Sequence, residues 1–336
     1  MNESLENMTE PSESLADVYT RWSSDTHIAR IPTGFPTLDD ACRGGLPVPW
    51  RIVVVGAPSA GKTALVMVVV RQFAQSGVVC GVLGVDEESD KLAVRAAQML
   101  GFSVEQCEQR DAAALRDMVV AATGVDMRFY PPSTSIEAAA ADVAARAADL
   151  GKHGVLAIDS IQTARCQRSL KEPALGAREI VEANMRAMTL VSREYRLLTV
   201  ATSEANRGSY RTDDSAQVGD EIAAGKESGA IEYAAQTLLV LRTPRKHPDC
   251  VRVYVAKNRG GRRSRFEFFL ALDRERHELA ECDDPTTEDR IGAAIAAEER
   301  RVAATRAEVE RNAGRIADLL RSQPNLGERE LREEVR

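Results

Sequence analysis

Ile52-Val53-Val54-Val55-Gly56-Ala57-Pro58-Ser59-Ala60-Gly61-Lys62-Thr63-Ala64 is the stretch on which the reading of the whole chain turns. Four consecutive β-branched residues suit a strand buried on both faces, as in a parallel sheet. The next eight residues read G-x-x-x-x-G-K-T, and Ala64-Leu65-Val66-Met67-Val68-Val69-Val70 can continue as a helix. Strand, glycine-punctuated loop and helix in this order make a polyphosphate cradle. Glycines let the main chain bend round the anion, and the N–H groups of the first helical turn face it. Gly56, Ala57, Pro58, Ser59, Ala60 and Gly61 would wrap the phosphates, with Ala64 in the first turn behind them. Lys62 would reach the β- and γ-phosphates, and the Thr63 hydroxyl would ligate Mg2+.

Outward from this loop, apolar strand candidates recur at Val78–Val85, Met127–Tyr130, Val155–Ile158, Leu197–Thr202, Thr237–Leu241, Val251–Ala256 and Phe266–Leu270. Helical stretches at Thr63–Gln75, Asp90–Leu100, Ile136–Leu150 and Glu179–Glu194 separate the earlier strands. Alternating strands and helices predict an α/β fold with a mostly parallel twisted sheet flanked by helices. The later strands follow one another closely, so that edge is expected to turn antiparallel. Residues 1–30 read as a flexible arm or short docking helix and 31–282 as the core. Residues 283–336 read as a helical tail, where Ile316, Leu319 and Leu320 open a partial helix-turn-helix.

A phosphate loop that hydrolyses ATP needs a second acid for Mg2+ at the end of a neighbouring strand. Val155-Leu156-Ala157-Ile158-Asp159 supplies it, which makes ATP and Mg2+ the expected cofactors. The attacking water needs a base or orienter. Val78–Val85 runs into Asp86-Glu87-Glu88-Ser89, where the carboxyl end of a parallel strand faces the ligand crevice. Acids at a helix start also complement its dipole, and the two roles are compatible. Leu197–Thr202 runs into Ser203-Glu204, a place from which a polar side chain can sense the γ-phosphate. Lys257 and Arg259 form a basic pair directly after Val251–Ala256.

Composition narrows the function classes. The 336 residues are 44% hydrophobic and 28% charged, ordinary for a globular protein, with aromatics at 4%. A net charge of −7 rules out a chain that is basic overall, so contact with a phosphate backbone must come from local loops. Six scattered cysteines offer no C-x-x-C pair and no zinc pattern, which fits free thiols in the cytoplasm. No apolar run is long enough to span a bilayer, and no membrane partner is expected.

These residues together resemble the RecA-fold ATPases of the DnaB-type replicative helicase and RadA/Sms branches, over roughly Ile31 to Leu270. Ile31-Pro32-Thr33-Gly34-Phe35-Pro36-Thr37-Leu38-Asp39 with Gly44-Gly45-Leu46 resembles the family's opening segment. Asp86-Glu87-Glu88-Ser89 resembles the RadA-type "G-E-E-S", which implies Glu87 as the catalytic acid. Ile158-Asp159-Ser160-Ile161-Gln162-Thr163 matches the metal-binding strand. Ser203-Glu204-Ala205-Asn206-Arg207 resembles the helicase "S-Q-L-N-R", and Lys226 to Glu232 resembles "R-E-S-G-S-I-E". Lys257-Asn258-Arg259 resembles the "K-x-R" element, which implies that Lys257 and Arg259 act on the neighbouring subunit's ATP. That in turn implies a homo-oligomer, ring or filament, with six subunits the expected number. Two residues depart from the pattern: Glu204 replaces a sensor glutamine, and Trp50 replaces a small residue, with a place at the nucleotide edge or a subunit contact expected for it. The helicases' N-terminal helical domain, and RadA's zinc motif and protease-like domain, are expected to have no counterpart here.

Two loops after the metal and sensor strands carry Arg165, Arg168 and Lys171, and Arg207 and Arg211. By the resemblance they would face single-stranded DNA, tracking its backbone. The expected function is therefore an oligomeric Mg2+-ATP-dependent DNA motor of DnaB-like helicase type, with replication or recombination proteins as partners. A RadA-type recombination and repair ATPase, or a KaiC-like regulatory ATPase acting on protein partners, is the alternative.

Overall fold

Alternation along each central strand decides which helices it meets. The computed structural model describes residues 13–24, 28–84, 89–110, 112–123, 125–172, 174–205 and 229–287. The first half runs α1 (Leu15–Ser24), β1 (Arg30–Ile31), α2 (Pro36–Ala41), β2 (Leu46–Pro47), β3 (Trp50–Gly56), α3 (Lys62–Gln75), β4 (Val79–Gly84), α4 (Ser89–Met99), α5 (Val104–Gln109), α6 (Ala112–Ala122) and β5 (Met127–Tyr130). The second runs α7 (Ile136–Leu150), β6 (Gly154–Asp159), α8 (Gln167–Lys171), α9 (Ala177–Glu194), β7 (Leu198–Glu204), α10 (Gly229–Ala234), β8 (Thr237–Arg242), β9 (Cys250–Asn258), β10 (Phe266–Asp273) and β11 (Glu278–Cys282). The chain divides into two compact units, Met1–Asp283 and Asp284–Arg336, and every one of these elements lies in the first.

Nine strands form one sheet in the order β11-β10-β9-β8-β3-β7-β6-β4-β5. The six from β8 to β5 are parallel to their neighbours, and β9, β10 and β11 are added antiparallel, as the short connections predict. In β3, Ile52 and Val54 point into the cluster built on α3, while Val53 and Val55 point into the cluster built on α7 and α9. Period-two alternation thus gives the sheet two apolar faces and the fold three layers. Each fully buried valine contributes roughly 1.5–3 kcal/mol relative to exposure. Gly81 lets α7 approach closely, because a Cβ there would stand 2.5 Å from Val143 Cγ2.

The opening segment earns its pattern by closing a turn. Asp39 accepts from the N–H and hydroxyl of Thr33, both at 2.8 Å, and from the Gly34 N–H at 3.1 Å. Gly45, at φ 134°, stands where a Cβ would meet the Ile31 carbonyl at 2.6 Å. Thr37 donates its N–H and its hydroxyl to Glu281, tying α2 to β11.

Several elements go beyond the sequence pattern. α6 is an alanine- and valine-rich helix that is exposed over most of its length, so it shows no clear apolar period to read. The connection after β6, expected as a loop, contains α8, held by the buried Cys166 and Ser169. β11 was not anticipated, because Glu278-Leu279-Ala280-Glu281 mixes polar and apolar residues at a sheet edge. The expected helical tail beyond 287 and the first twelve residues lie outside the described residues.

Candidate functional site

The parallel strands end together. In the sheet register Gly56 stands beside Glu204 of β7 on one side and Leu241 of β8 on the other, and Asp159 stands beside Gly84 of β4. Such a carboxyl edge is where open α/β sheets take ligands. After Gly56 the chain passes through two left-handed positions, Ser59 (φ 62°) and Gly61 (φ 87°), and Gly61 caps α3. That wrapping turns successive N–H groups inward as an anion nest in front of the helix start. Lys62 Nζ lies along the loop and donates to the carbonyls of Gly56 (3.0 Å) and Ala57 (2.8 Å).

Thr63 and Asp159, 96 residues apart, are in direct contact: the Thr63 hydroxyl donates to Asp159 Oδ2 at 2.8 Å. Thr202 of β7 donates its hydroxyl to the other oxygen, Oδ1. An anionic carboxylate and a hydroxyl at this spacing, beside an amide nest, are the hard oxygen donors that a Mg2+–polyphosphate complex takes. The residues present fit that group.

A second set of bonds connects the metal strand to its neighbour. Gln162 Nε2 donates to the Ser203 hydroxyl at 2.8 Å, and the Ile161 N–H donates to the Thr202 carbonyl at 2.9 Å. Asn184, fully buried on α9, donates to the carbonyls of Ile161 (2.8 Å) and Ala164 (2.7 Å). These contacts fix the turn that follows Asp159. Thr202 and Gln162 enter the sequence reading only as members of their segments, with no role of their own, and Asn184 not by name. The available signal is a pair of hydroxyl residues, Thr202-Ser203, near the end of a buried, mostly apolar strand.

Lys257 and Arg259 lie at the other edge of the sheet. Asn258 between them pairs with Thr237, and Thr237 pairs with Ile52, so both cations flank the amino end of β3. From Ile52 to Gly56 the strand advances about 13 Å at 3.3 Å per residue. Lys257 Nζ donates to the Glu232 carbonyl, and the exposed Arg259 donates its main-chain N–H to Gln236 at 2.8 Å. Burial first, then Arg259 and Arg51, hold the Lys257 ammonium below its ordinary pKa, with Glu232 opposing them.

Glu204 is exposed at the end of β7, beside Gly56, where a sensor was expected. Trp50 begins β3 at the amino edge, a strand length from its own phosphate loop, and donates its indole N–H to Thr237 at 2.9 Å. Arg165, Arg168 and Lys171 are exposed after β6, and Arg168 pairs with Glu172 at 3.2 Å. Glu87, Arg207 and Arg211 lie outside the described residues. No metal-binding group of three or more His, Cys, Asp or Glu occurs among the described residues. No helix among them is long and apolar enough to cross a membrane.

The family model for the DnaB-like helicase C-terminal domain matches residues 30–278. The chain belongs to that family. Its fold is correspondingly RecA-like, and the similarity extends to solved structures. One is a DnaB-like replicative helicase described with its interactions with primase, at 18% identity and TM-score 0.66, covering 82% of this chain and 69% of that one. A second is an ATPase domain, at 18% identity and TM-score 0.65, covering 82% of this chain and 100% of that one. A third is a KaiC-like protein from the hyperthermophilic archaeon Pyrococcus horikoshii OT3, at 17% identity and TM-score 0.52, covering 76% and 100%. No curated protein matches the chain. Membership of the DnaB-like helicase family places the chain among RecA-fold NTPases of helicase type, with the strand ends described above as its candidate nucleotide edge.

Proposed function

We propose that this DnaB-like domain is a cytoplasmic, Mg2+-ATP-driven motor that works as a homo-oligomer on single-stranded DNA. The observation that carries the reading is the contact of Thr63 with Asp159 in front of the Gly56–Thr63 loop. Gly56 to Ala64 would cradle the phosphates, with Lys62 exchanging its two loop carbonyls for the β- and γ-phosphate oxygens. Thr63 and Asp159 would hold Mg2+, which supplies charge neutralisation between the phosphates when bound. Thr202 keeps the Asp159 carboxylate turned toward Thr63, an outer contact of the kind that tunes metal affinity. Glu87 would take the proton of the attacking water, and Glu204 would sense the γ-phosphate from the end of β7.

Lys257 and Arg259 would complete the site of a neighbouring copy. Their place at the amino edge, a strand length from their own loop, supports action in trans. Arg165, Arg168 and Lys171, with Arg207 and Arg211, would meet the DNA backbone. Glu204 favours one second reading, a regulatory ATPase acting on protein partners, because a carboxylate beside the loop changes how γ-phosphate is sensed.

ATP hydrolysis with and without single-stranded DNA tests the proposal, alongside Lys62→Ala and Arg259→Ala. Stimulation by DNA that falls steeply with salt and disappears in both variants supports the motor. Turnover indifferent to DNA selects the protein-directed switch, and stimulation without strand displacement selects a RadA-type activity.

A further inference from the structure

The amino edge of the sheet holds more positive charge than Lys257 and Arg259 alone. Gln236 stitches Arg51 and Arg259 side by side. The Arg51 N–H donates to Gln236 Oε1 at 3.0 Å, the Gln236 N–H donates to the Arg51 carbonyl at 2.9 Å, and the Arg259 N–H donates to the Gln236 carbonyl at 2.8 Å. Arg51 Nε donates to the Ala234 carbonyl at 3.0 Å, two residues from the Glu232 carbonyl that receives Lys257 Nζ. Three cations are therefore gathered round the last turn of α10, where the side chains of Arg51 and Lys257 meet main-chain oxygens.

No carboxylate stands within ion-pair distance of Arg51, Lys257 or Arg259 among the described residues, and the two Nη groups of Arg51 have no hydrogen-bond partner there. Elsewhere Arg252 pairs with Glu267 and Arg71 with Glu278, while Arg30, a lone cation, donates to the carbonyls of Cys42 and Gly45. Burial, then Arg193 and Arg259, hold the Arg51 guanidinium below its ordinary pKa, so the cluster repels itself. Grouped, partly desolvated cations without a counter-ion are the environment in which an incoming phosphate gains most.

We propose that Arg51 is a third cation, with Lys257 and Arg259, of the site that receives the terminal phosphates of ATP bound to a second copy of this chain. The proposal rests on the shared-site reading above. Arg51 cannot serve its own loop: it stands five residues before Gly56 on one extended strand, about 16 Å at 3.3 Å per residue. Its Nε bond to Ala234 leaves the terminal Nη fork for two phosphate oxygens, the geometry at which guanidinium excels. Lys257, a point charge on a flexible stem, and Arg259, exposed on the turn after β9, would take the remaining oxygens.

The test mixes full-length variants. Arg51→Gln should lower DNA-stimulated turnover by about a hundred- to a thousandfold, as loss of one preorganised donor does. The KM for ATP should stay within about threefold, because the loop that binds nucleotide is intact. Arg51→Lys, which returns the charge but not the fork, should recover only part of the loss and stay about tenfold below wild type. Adding an excess of Lys62→Ala subunits to Arg51→Gln should restore turnover, because each Lys62→Ala subunit offers its Arg51 to a neighbour's working loop. The same mixture with Arg259→Ala is the control. Rescue in both mixtures supports the proposal. Rescue of Arg259→Ala alone overturns it and leaves the shared site standing, with Arg51 confined to its own fold; aggregation of Arg51→Gln counts the same way. Rescue in neither sinks the shared-site reading as well, and wild-type turnover in Arg51→Gln overturns the proposal directly.

Discussion

The two ends of the central strand β3 differ in how their polar groups are satisfied. At the carboxyl end one functional side chain meets another: Thr63 and Thr202 both donate to Asp159, and Gln162 donates to Ser203. At the amino end the side chains of Arg51 and Lys257 donate to main-chain carbonyls, and that of Arg259 is exposed without a partner among the described residues. One edge is assembled within a single chain, and the other holds charge that no described residue neutralises. An edge of the first kind can be preorganised in a monomer; an edge of the second kind is suited to a counter-charge brought from outside.

The sharpest way to break this contrast is to remove a cation from the incomplete edge. Arg259→Ala should lower turnover by about 10³- to 10⁵-fold, as loss of a trans finger does, while the thermal midpoint of the exposed residue's variant barely moves. Damage at the complete edge should show in stability instead. Asn184→Ala leaves the Ile161 and Ala164 carbonyls unpaired in the core and should cost roughly 2–4 kcal/mol by denaturant titration. Thr202→Val keeps shape and removes the hydroxyl from Asp159. The Mg2+ concentration for half-maximal turnover should rise about ten- to a hundredfold, and an unchanged value would break the link between β7 and the metal strand.

Lys257→Met sharpens the comparison by its sign. A lysine whose folded pKa is lowered costs stability while charged, and that cost fades as pH rises through the folded value toward 10.5, the ordinary value. The variant should therefore lose turnover without any fall in thermal midpoint at pH 7, and its difference from wild type should shrink at high pH. The smallest effect is expected at Arg168→Ala, where an exposed i,i+4 pair with Glu172 is worth about 0.3–0.5 kcal/mol. Its readout is the salt dependence of DNA binding rather than stability.

Local spacing made one edge readable and left the other hidden. The phosphate loop needs residues within a dozen positions, and the β-branched run before it has no good alternative to a buried strand. Asp159 was legible because an apolar strand ends on it. The Thr202 and Gln162 contacts depend on β7 lying beside β6, and the Asn184 contacts on α9 packing under the turn after β6, orders that no local pattern contains. Arg51 looks like an ordinary residue at the start of a strand. Its significance comes from Gln236 and Arg259, brought to it only through the β3–β8–β9 pairing. α6 escaped for the opposite reason, since an exposed alanine- and valine-rich helix carries no contrast between faces.

The place of β3 between β7 and β8 has a consequence during synthesis. Its valine run leaves the ribosome long before either partner strand exists. The first of them, β7, follows about 150 residues later, on the order of ten seconds at ordinary translation rates. For that interval an apolar central strand has both hydrogen-bonding edges open, so a nascent chain halted before Leu198 should be a strong client for a holding chaperone, and one released past Arg242 a weak one.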